Sequence, residues 1–352
     1  MKNLMKMRSL LLMFIVSSAL IFVSCKDEDK IVEGDKTELN ALITEADALA
    51  TAAVSADYPQ TAIDAYKATL LTVKTATATP LTQVQIDNLK TQLDEAMKTL
   101  KSQAYGFIDE TLYLNAGWHF DEGTGTTATA YSATKHVGTF KAGNSVILGA
   151  AALSPTWVTG VKGGKAIYLD KGAHLEVPYT AAFLPVNLTI SVWIKPIELY
   201  EHNYIVSQNY WTGYKLQTQG GGKPYFTYKK VNGDIIDADN ETDNSIKANQ
   251  WNHIVITVNA TSKELKFYVG GTLTKTWTEP KGGALIQTLT GPDPQPFIIG
   301  GVATDAELAA SFMDWTTADN LGYFKGTIDE LKIYKIALTD GQISKLYNDE
   351  KP

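Results

Sequence analysis

Leu188-Thr-Ile-Ser-Val-Trp-Ile194 is the stretch from which the fold can be read. Aliphatic residues stand at 188, 190, 192 and 194, a period of two, which is the period of a strand and not of a helix. Trp251–Val258 repeats the alternation, and Leu265-Lys-Phe-Tyr-Val269 runs into Gly270-Gly271, a strand and its turn. Outward from this centre, from Leu112 onward, short strands punctuated by Gly, Asn, Asp and Pro follow one another with no helical gaps between them, and Ala337-Leu338 with a short helix to Tyr347 closes the chain. Many short strands of this kind predict a two-sheet antiparallel sandwich or jelly roll. Trp193 and Trp251 lie in alternating strands, where large inward rings are expected to be sandwich core. His253, beside Trp251, reads as a structural histidine rather than a ligand or base.

Upstream, over 37–103, the spacing changes to the helical period. Leu39, Leu42, Ile43, Ala46, Leu49 and Ala50 mark one face, and Ile63, Tyr66, Leu70 and Val73 a second. Ile86, Leu89, Leu93, Met97 and Leu100 mark a third. Asp57-Tyr58-Pro59-Gln60 predicts a helix start with Asp57 as its cap, and Thr82-Gln83-Val84-Gln85 predicts a capping box. Three helices with short connections imply an antiparallel bundle. The expected fold class is therefore mainly β with a small α domain: a three-helix bundle over 37–103, then a jelly-roll sandwich over 107–350.

Residues 1–24 carry Lys2, Lys6 and Arg8 and no acid, followed by an apolar run over 9–23 too short for a comfortable membrane span. The single cysteine, Cys25, closes this leader, so no disulfide can form within the chain. Val23-Ser24-Cys25 resembles a bacterial lipobox, which implies acylation of Cys25 and a lipid anchor in the membrane. Lys26-Asp-Glu-Asp-Lys30 resembles the acidic signal of surface-exported bacterial lipoproteins, and 25–36 reads as a tether. The expected location is the outer membrane, lipid-anchored and facing the cell exterior. Formal net charge is −7, and beyond Arg8 the chain has no arginine. Phosphate recognition favours the guanidinium fork, so a nucleic-acid partner is not expected.

The helical segment resembles the FIVAR module in its Tyr58-Pro59 opening and its Leu89–Leu100 run, which implies a spacer or binding module. The β segment carries six motifs in order: Trp118–Gly125, Gly163–Pro178, Leu188–Pro196, Asn249–Thr257, Phe267–Gly271 and Phe324–Tyr334. Together they resemble the laminin-G-like, concanavalin A-like jelly roll. That resemblance implies carbohydrate binding by a cell-surface lipoprotein that captures polysaccharide for outer-membrane uptake partners. An adhesin that binds host or neighbour proteins is the alternative within the same fold.

A glycoside hydrolase is a further alternative, since laminarinase-type glucanases share this fold and use paired carboxylates about 5 Å apart. Their Glu-x-Asp-x-x-Glu run is missing from the β segment, 107–350. The nearest acidic pair, Asp329-Glu330, is expected to split across the two faces of a strand. The resemblance also raises Ca²⁺, with Glu122, Asp329 and Glu330 as metal ligands. The family's acidic turn is here Ala130–His136, which has no carboxylate. A further acidic run, Asp237–Asp243, reads as a solvated loop.

Sugar rings offer apolar faces edged with hydroxyls, so aromatics with neighbouring amides are the expected contacts. Residues 200–217 are dense in both, and the 304–322 insertion adds Trp315. Asn209, Tyr210, Trp211, Tyr214 and Trp315 are the expected ligand contacts.

Overall fold

The computed structural model describes residues 32–55, 57–144, 151–289, 294–310 and 322–352. Helices α1 (Thr37–Ala52), α2 (Gln60–Thr77) and α3 (Gln83–Ser102) come first. Their predicted stripes meet in one core of Leu39, Ala46, Ile63, Tyr66, Leu70, Val73, Ile86, Leu93, Met97 and Leu100. Thr82 and Gln85 form the reciprocal capping box at the start of α3. At α2 the expectation was displaced: Pro59, not Asp57, is the cap residue, and no side chain caps that end. Asp57 instead turns its carbonyl to the amide of Tyr105 at 2.8 Å.

Short helix α4 (Glu110–Tyr113) leads into the β segment, which has sixteen strands among the described residues. The first sheet has the order β14 (Thr272–Trp277), β13 (Glu264–Val269), β12 (Asn252–Asn259), β7 (Leu188–Pro196), β16 (Gly326–Tyr334), β5 (Lys165–Leu169), β4 (Thr156–Thr159). Strand β1 (Leu114–Trp118) also pairs with β16. The second sheet runs β11 (Ile235–Asp239), β10 (Lys223–Lys229), β9 (Tyr214–Gln219), β8 (Asn203–Gln208), β15 (Phe297–Ile299), β6 (His174–Val177), β3 (Val137–Lys141), β2 (Thr127–Thr129). Every strand pair is antiparallel.

The expected alternation of β7 is what holds the sheets together. Leu188, Ile190, Val192 and Ile194 point inward and join Ile254, Ile256, Leu216, Phe226 and Phe297 in the main core. Burial of each such side chain is worth about 1.5–3 kcal/mol. The intervening Thr189, Ser191 and Trp193 point out of the sandwich. They are nevertheless buried, because α6 (Asp340–Glu350) covers that part of the first sheet. A small second core of Val255, Tyr268, Tyr334, Leu338, Ile343 and Leu346 fills the gap beneath it.

This corrects the placement of two tryptophans. Trp193 is not between the sheets: it lies on the outer face under α6, and its indole N–H donates to Glu350 Oε2 at 2.9 Å. Trp251 shares its outward parity with His253 and is only half-buried. His253 stacks with Trp193 and hydrogen-bonds Ser191 at 2.8 Å, as a structural histidine would.

Candidate functional site

The outer face of the second sheet carries a cavity of about 200 Å³. It is lined by Glu201, His202, Trp211, Lys215, Gln217, Gln219, Tyr225 and Asp237. The strand period explains how it is assembled. In Tyr214-Lys-Leu-Gln-Thr-Gln219, residues 214 and 216 enter the core, so 215, 217 and 219 stand on the outer face. Tyr225 pairs with Gln217 and with Asp239 across neighbouring strands, and Thr227 pairs with Lys215 and with Asp237. Trp211 comes from a one-turn helix, Tyr210–Thr212, between β8 and β9.

Lys215 is the most constrained group of the site. Its Nζ lies 5.1 Å from the Trp211 ring centroid and 5.2 Å from that of Tyr204. Burial pushes the Lys215 amine down to about 8, against the pull of Asp237. Gln217 is 3% exposed, and its side-chain carbonyl oxygen has no donor among the described residues. Thr227 donates to Asp237 at 2.5 Å, which fixes that carboxylate on the floor. A half-buried indole, a tyrosine ring, a desolvated ammonium and an unused amide acceptor thus share one recess. The rings can take an apolar face and the polar atoms can take hydroxyls.

The expected contacts divide. Trp211 lines the cavity. Tyr210 stands edge-on to Trp211, with ring centroids 5.6 Å apart, and its hydroxyl donates to Glu307 on α5 (Asp305–Ala310) at 2.5 Å. Tyr210 therefore braces the indole. Asn209 adopts a left-handed conformation, and its Oδ1 accepts from the Gln295 amide at 2.9 Å, holding the turn that presents Trp211. Tyr214 is a correction: it is fully buried between the sheets against Phe226 and Phe297 and cannot meet a ligand there. The cause is its parity with Leu216. Trp315 and Cys25 lie outside the described residues.

Residue type alone does not mark Lys215 or Asp237 as site residues. Asp237 and Asp239, expected in a solvated loop, belong to β11. The signal for Lys215 was there, in the alternation that also places Tyr214 inside.

Asp329 and Glu330 also sit differently from expectation. A bulge in β16 against β7 places Ile328 and Leu331 in the core, so both acids emerge on the outer face. They still do not act on a common opening. Asp329 is 3% exposed and accepts from the Val161 amide at 2.8 Å and the Glu330 amide at 2.9 Å. Burial pushes Asp329 up to about 7, against those amide donors. Glu330 lines a separate cavity that Asp329 does not, and there it pairs with His119 and Lys332. Burial works against its charge, but those two partners outweigh it and hold the carboxyl below its usual range.

Glu122 accepts from the Thr129 amide at 2.7 Å. Among the described residues no three His, Cys, Asp or Glu side chains gather as a metal site. The three expected calcium ligands are committed to separate partners and do not fit an ion that asks for six or more oxygens.

The match to a family model agrees with the architecture. A family model described as the concanavalin A-like lectin/glucanases superfamily matches residues 169–344. Among solved structures, domain 4 of an extracellular arabinanase from Geobacillus stearothermophilus, in complex with arabinotriose, is similar at 21% identity and TM-score 0.47. That similarity covers 66% of this chain and 98% of that one. The binding domain of Paraclostridial Mosquitocidal Protein 1 is similar at 18% identity and TM-score 0.47, covering 67% and 52%. The botulinum neurotoxin type C structure concerned with two ganglioside molecules follows at 14% and 0.48, covering 69% and 53%. The chain spans about half the length of these toxin structures. No curated protein matches the chain.

Proposed function

The chain belongs, through residues 169–344, to the concanavalin A-like lectin/glucanases superfamily, and from that premise we propose that it binds a glycan without cleaving it. The site is the recess on the outer face of the second sheet. One observation carries this: a cavity floored by Gln217, whose buried Oε1 lacks a donor among the described residues, and walled by Trp211 and Tyr225. An unmet buried acceptor costs about 1–3 kcal/mol, and a sugar hydroxyl reaching it would recover that. Trp211 supplies the stacking surface and Lys215 the donor.

A binding role rather than hydrolysis is supported by the acids. Asp329 has both oxygens on backbone amides, and Glu330 is tied to His119 and Lys332. Neither is poised to share a glycosidic bond.

We also propose that Cys25 carries the lipid anchor, that the FIVAR-like bundle serves as a spacer, and that the protein hands glycan to outer-membrane uptake partners from the cell exterior. These rest on the sequence motifs. Loss of labelling by an alkyne fatty acid in Cys25→Ala checks the anchor; retained labelling rejects it.

The experiment for the main reading is a glycan array probed with the chain from residue 26 onward, followed by a reducing-end assay on each hit. Glycan hits without release of reducing ends support it. Binding confined to proteins, or release of sugar, rejects it.

A further inference from the structure

The outer face of the first sheet is only partly covered by α6. At the other end of that face a cavity of about 250 Å³ opens, lined in part by Tyr168, Lys195, Trp251, Asn249 and Thr327. These residues form a row across the strands. Tyr168 pairs with Thr327 from β5 to β16, and Thr327 pairs with Lys195 from β16 to β7. Asn252 pairs with Ile194, so Trp251 continues the row beside Lys195 at the start of β12. Neighbouring strands lie about 4.8 Å apart, so four such neighbours span about 14 Å.

The chemistry of this row differs from that of the first site. Among the described residues Lys195 is the only charged one that lines the cavity, and it forms no ion pair with a described residue. No described acid lines it. The first site, by contrast, carries Glu201 and Asp237 beside Lys215. The half-buried Trp251 ring and the Tyr168 ring flank the lysine, with Thr327 and Asn249 offering hydroxyl and amide groups. The Tyr168 hydroxyl donates to Asp170 at 3.2 Å, which orients that ring. The Asn249 amide donates to the Pro196 carbonyl at 2.7 Å and holds the loop carrying Trp251 against the sheet.

We propose that this row is a second saccharide site, on the opposite face of the sandwich from the first, and that it takes an acidic sugar unit. A pyranose face stacks on Trp251 while its carboxylate meets the Lys195 ammonium. Two sites of different charge on opposite faces would let one chain grip a mixed polysaccharide at two points.

Calorimetry on the full chain tests this with trigalacturonate and with its methyl ester, in which the carboxylates are masked and the rings kept. Trigalacturonate is expected to bind, with affinity falling at least tenfold in the ester and at least tenfold between 50 mM and 500 mM NaCl. Trp251→Ala is expected to lose at least tenfold toward both probes. Lys195→Glu, at an exposed position where folding is not at stake, is expected to lose trigalacturonate at least tenfold and to leave the ester unchanged. Trp211→Ala, at the first site, is expected to change neither. Absence of heat with trigalacturonate at millimolar concentration would overturn the proposal. Equal affinity in wild type and Lys195→Glu, or loss of trigalacturonate in Trp211→Ala with Trp251→Ala unchanged, would do the same. The last outcome would place the acidic sugar at the first site and leave that reading standing.

Discussion

The ammonium of Lys215 faces the indole of Trp211, with Nζ 5.1 Å from the ring centroid. A cation held this way is both partly desolvated and oriented, which is what a buried hydrogen-bond donor for a sugar requires. A cation–ring contact is worth about 0.5–2 kcal/mol, and the lost stacking area adds to it. Trp211→Ala is expected to lower affinity about tenfold or more for a glycan hit that Gln217→Leu also weakens, with little change in melting temperature. Calorimetry and a thermal melt on the same sample check both.

Lys215 also makes binding pH-dependent. Its folded value lies near 8, below the usual lysine range. Raising pH through 8 removes the ammonium, so affinity is expected to fall between pH 7 and 9. Stability moves the other way. Between about 8 and the ordinary lysine value the unfolded chain holds the extra proton, so folding becomes more favourable as pH rises. Lys215→Met is expected to flatten both profiles, while binding remains weak throughout.

Tyr214 tests the packing. Its hydroxyl is buried in the sandwich without a partner among the described residues. Tyr214→Phe is expected to leave stability equal or raise it by about 1 kcal/mol, and Tyr214→Ala to cost about 3–5 kcal/mol. Chemical denaturation checks this. Unchanged glycan affinity in Tyr214→Phe would agree with its place away from the recess.

These residues also show how much could be read from the sequence. Alternation in Leu188–Ile194 gave the strand and which aliphatics face the core, and Thr82-Gln83-Val84-Gln85 gave a helix start, because both depend on near neighbours. Tyr214 resembles a ligand contact by residue type, but its parity with Leu216 two positions on puts it in the core. Trp193 stands at the outward parity of the same strand, and its burial there depends on α6, almost 150 residues later, which nothing in the strand announces. Asp329 and Glu330 were split across two faces because nothing local in Ile328-Asp-Glu-Leu331 announces a bulge. The recess itself joins β9, β10, β11 and the turn before β9, so only strand order could reveal it.

Beneath α6, Lys332 bridges Glu330 and Glu350, and Glu350 accepts from Trp193. Burial opposes the lysine's charge, but the two carboxylates outweigh it and raise its affinity for the proton. Removing only the lysine leaves buried carboxylate uncompensated, so Lys332→Met is expected to cost about 3–5 kcal/mol. Lys332→Met with Glu350→Gln is expected to recover part of that. A double-mutant cycle by denaturation measures the coupling, and additive losses would contradict it.

His253 gives an acid limit. Burial, with Lys332 nearby, pushes its pKa down to about 3. Below about pH 6.5 the unfolded chain takes up a proton that the folded one refuses, so this contribution falls as pH drops from 6.5 toward 3. His253→Phe is expected to lose less stability than wild type between pH 7 and 4. Parallel curves for the two proteins would reject the assignment.

The central claim is an intact glycan held over Gln217 on the outer face of the second sheet. Its most direct test is calorimetric titration of an array-selected oligosaccharide into the full chain and into Gln217→Leu, with the sugar recovered and weighed by mass spectrometry. The expected result is an unshortened oligosaccharide bound at least tenfold more weakly by Gln217→Leu. Equal affinities, or a shortened oligosaccharide, would contradict the account.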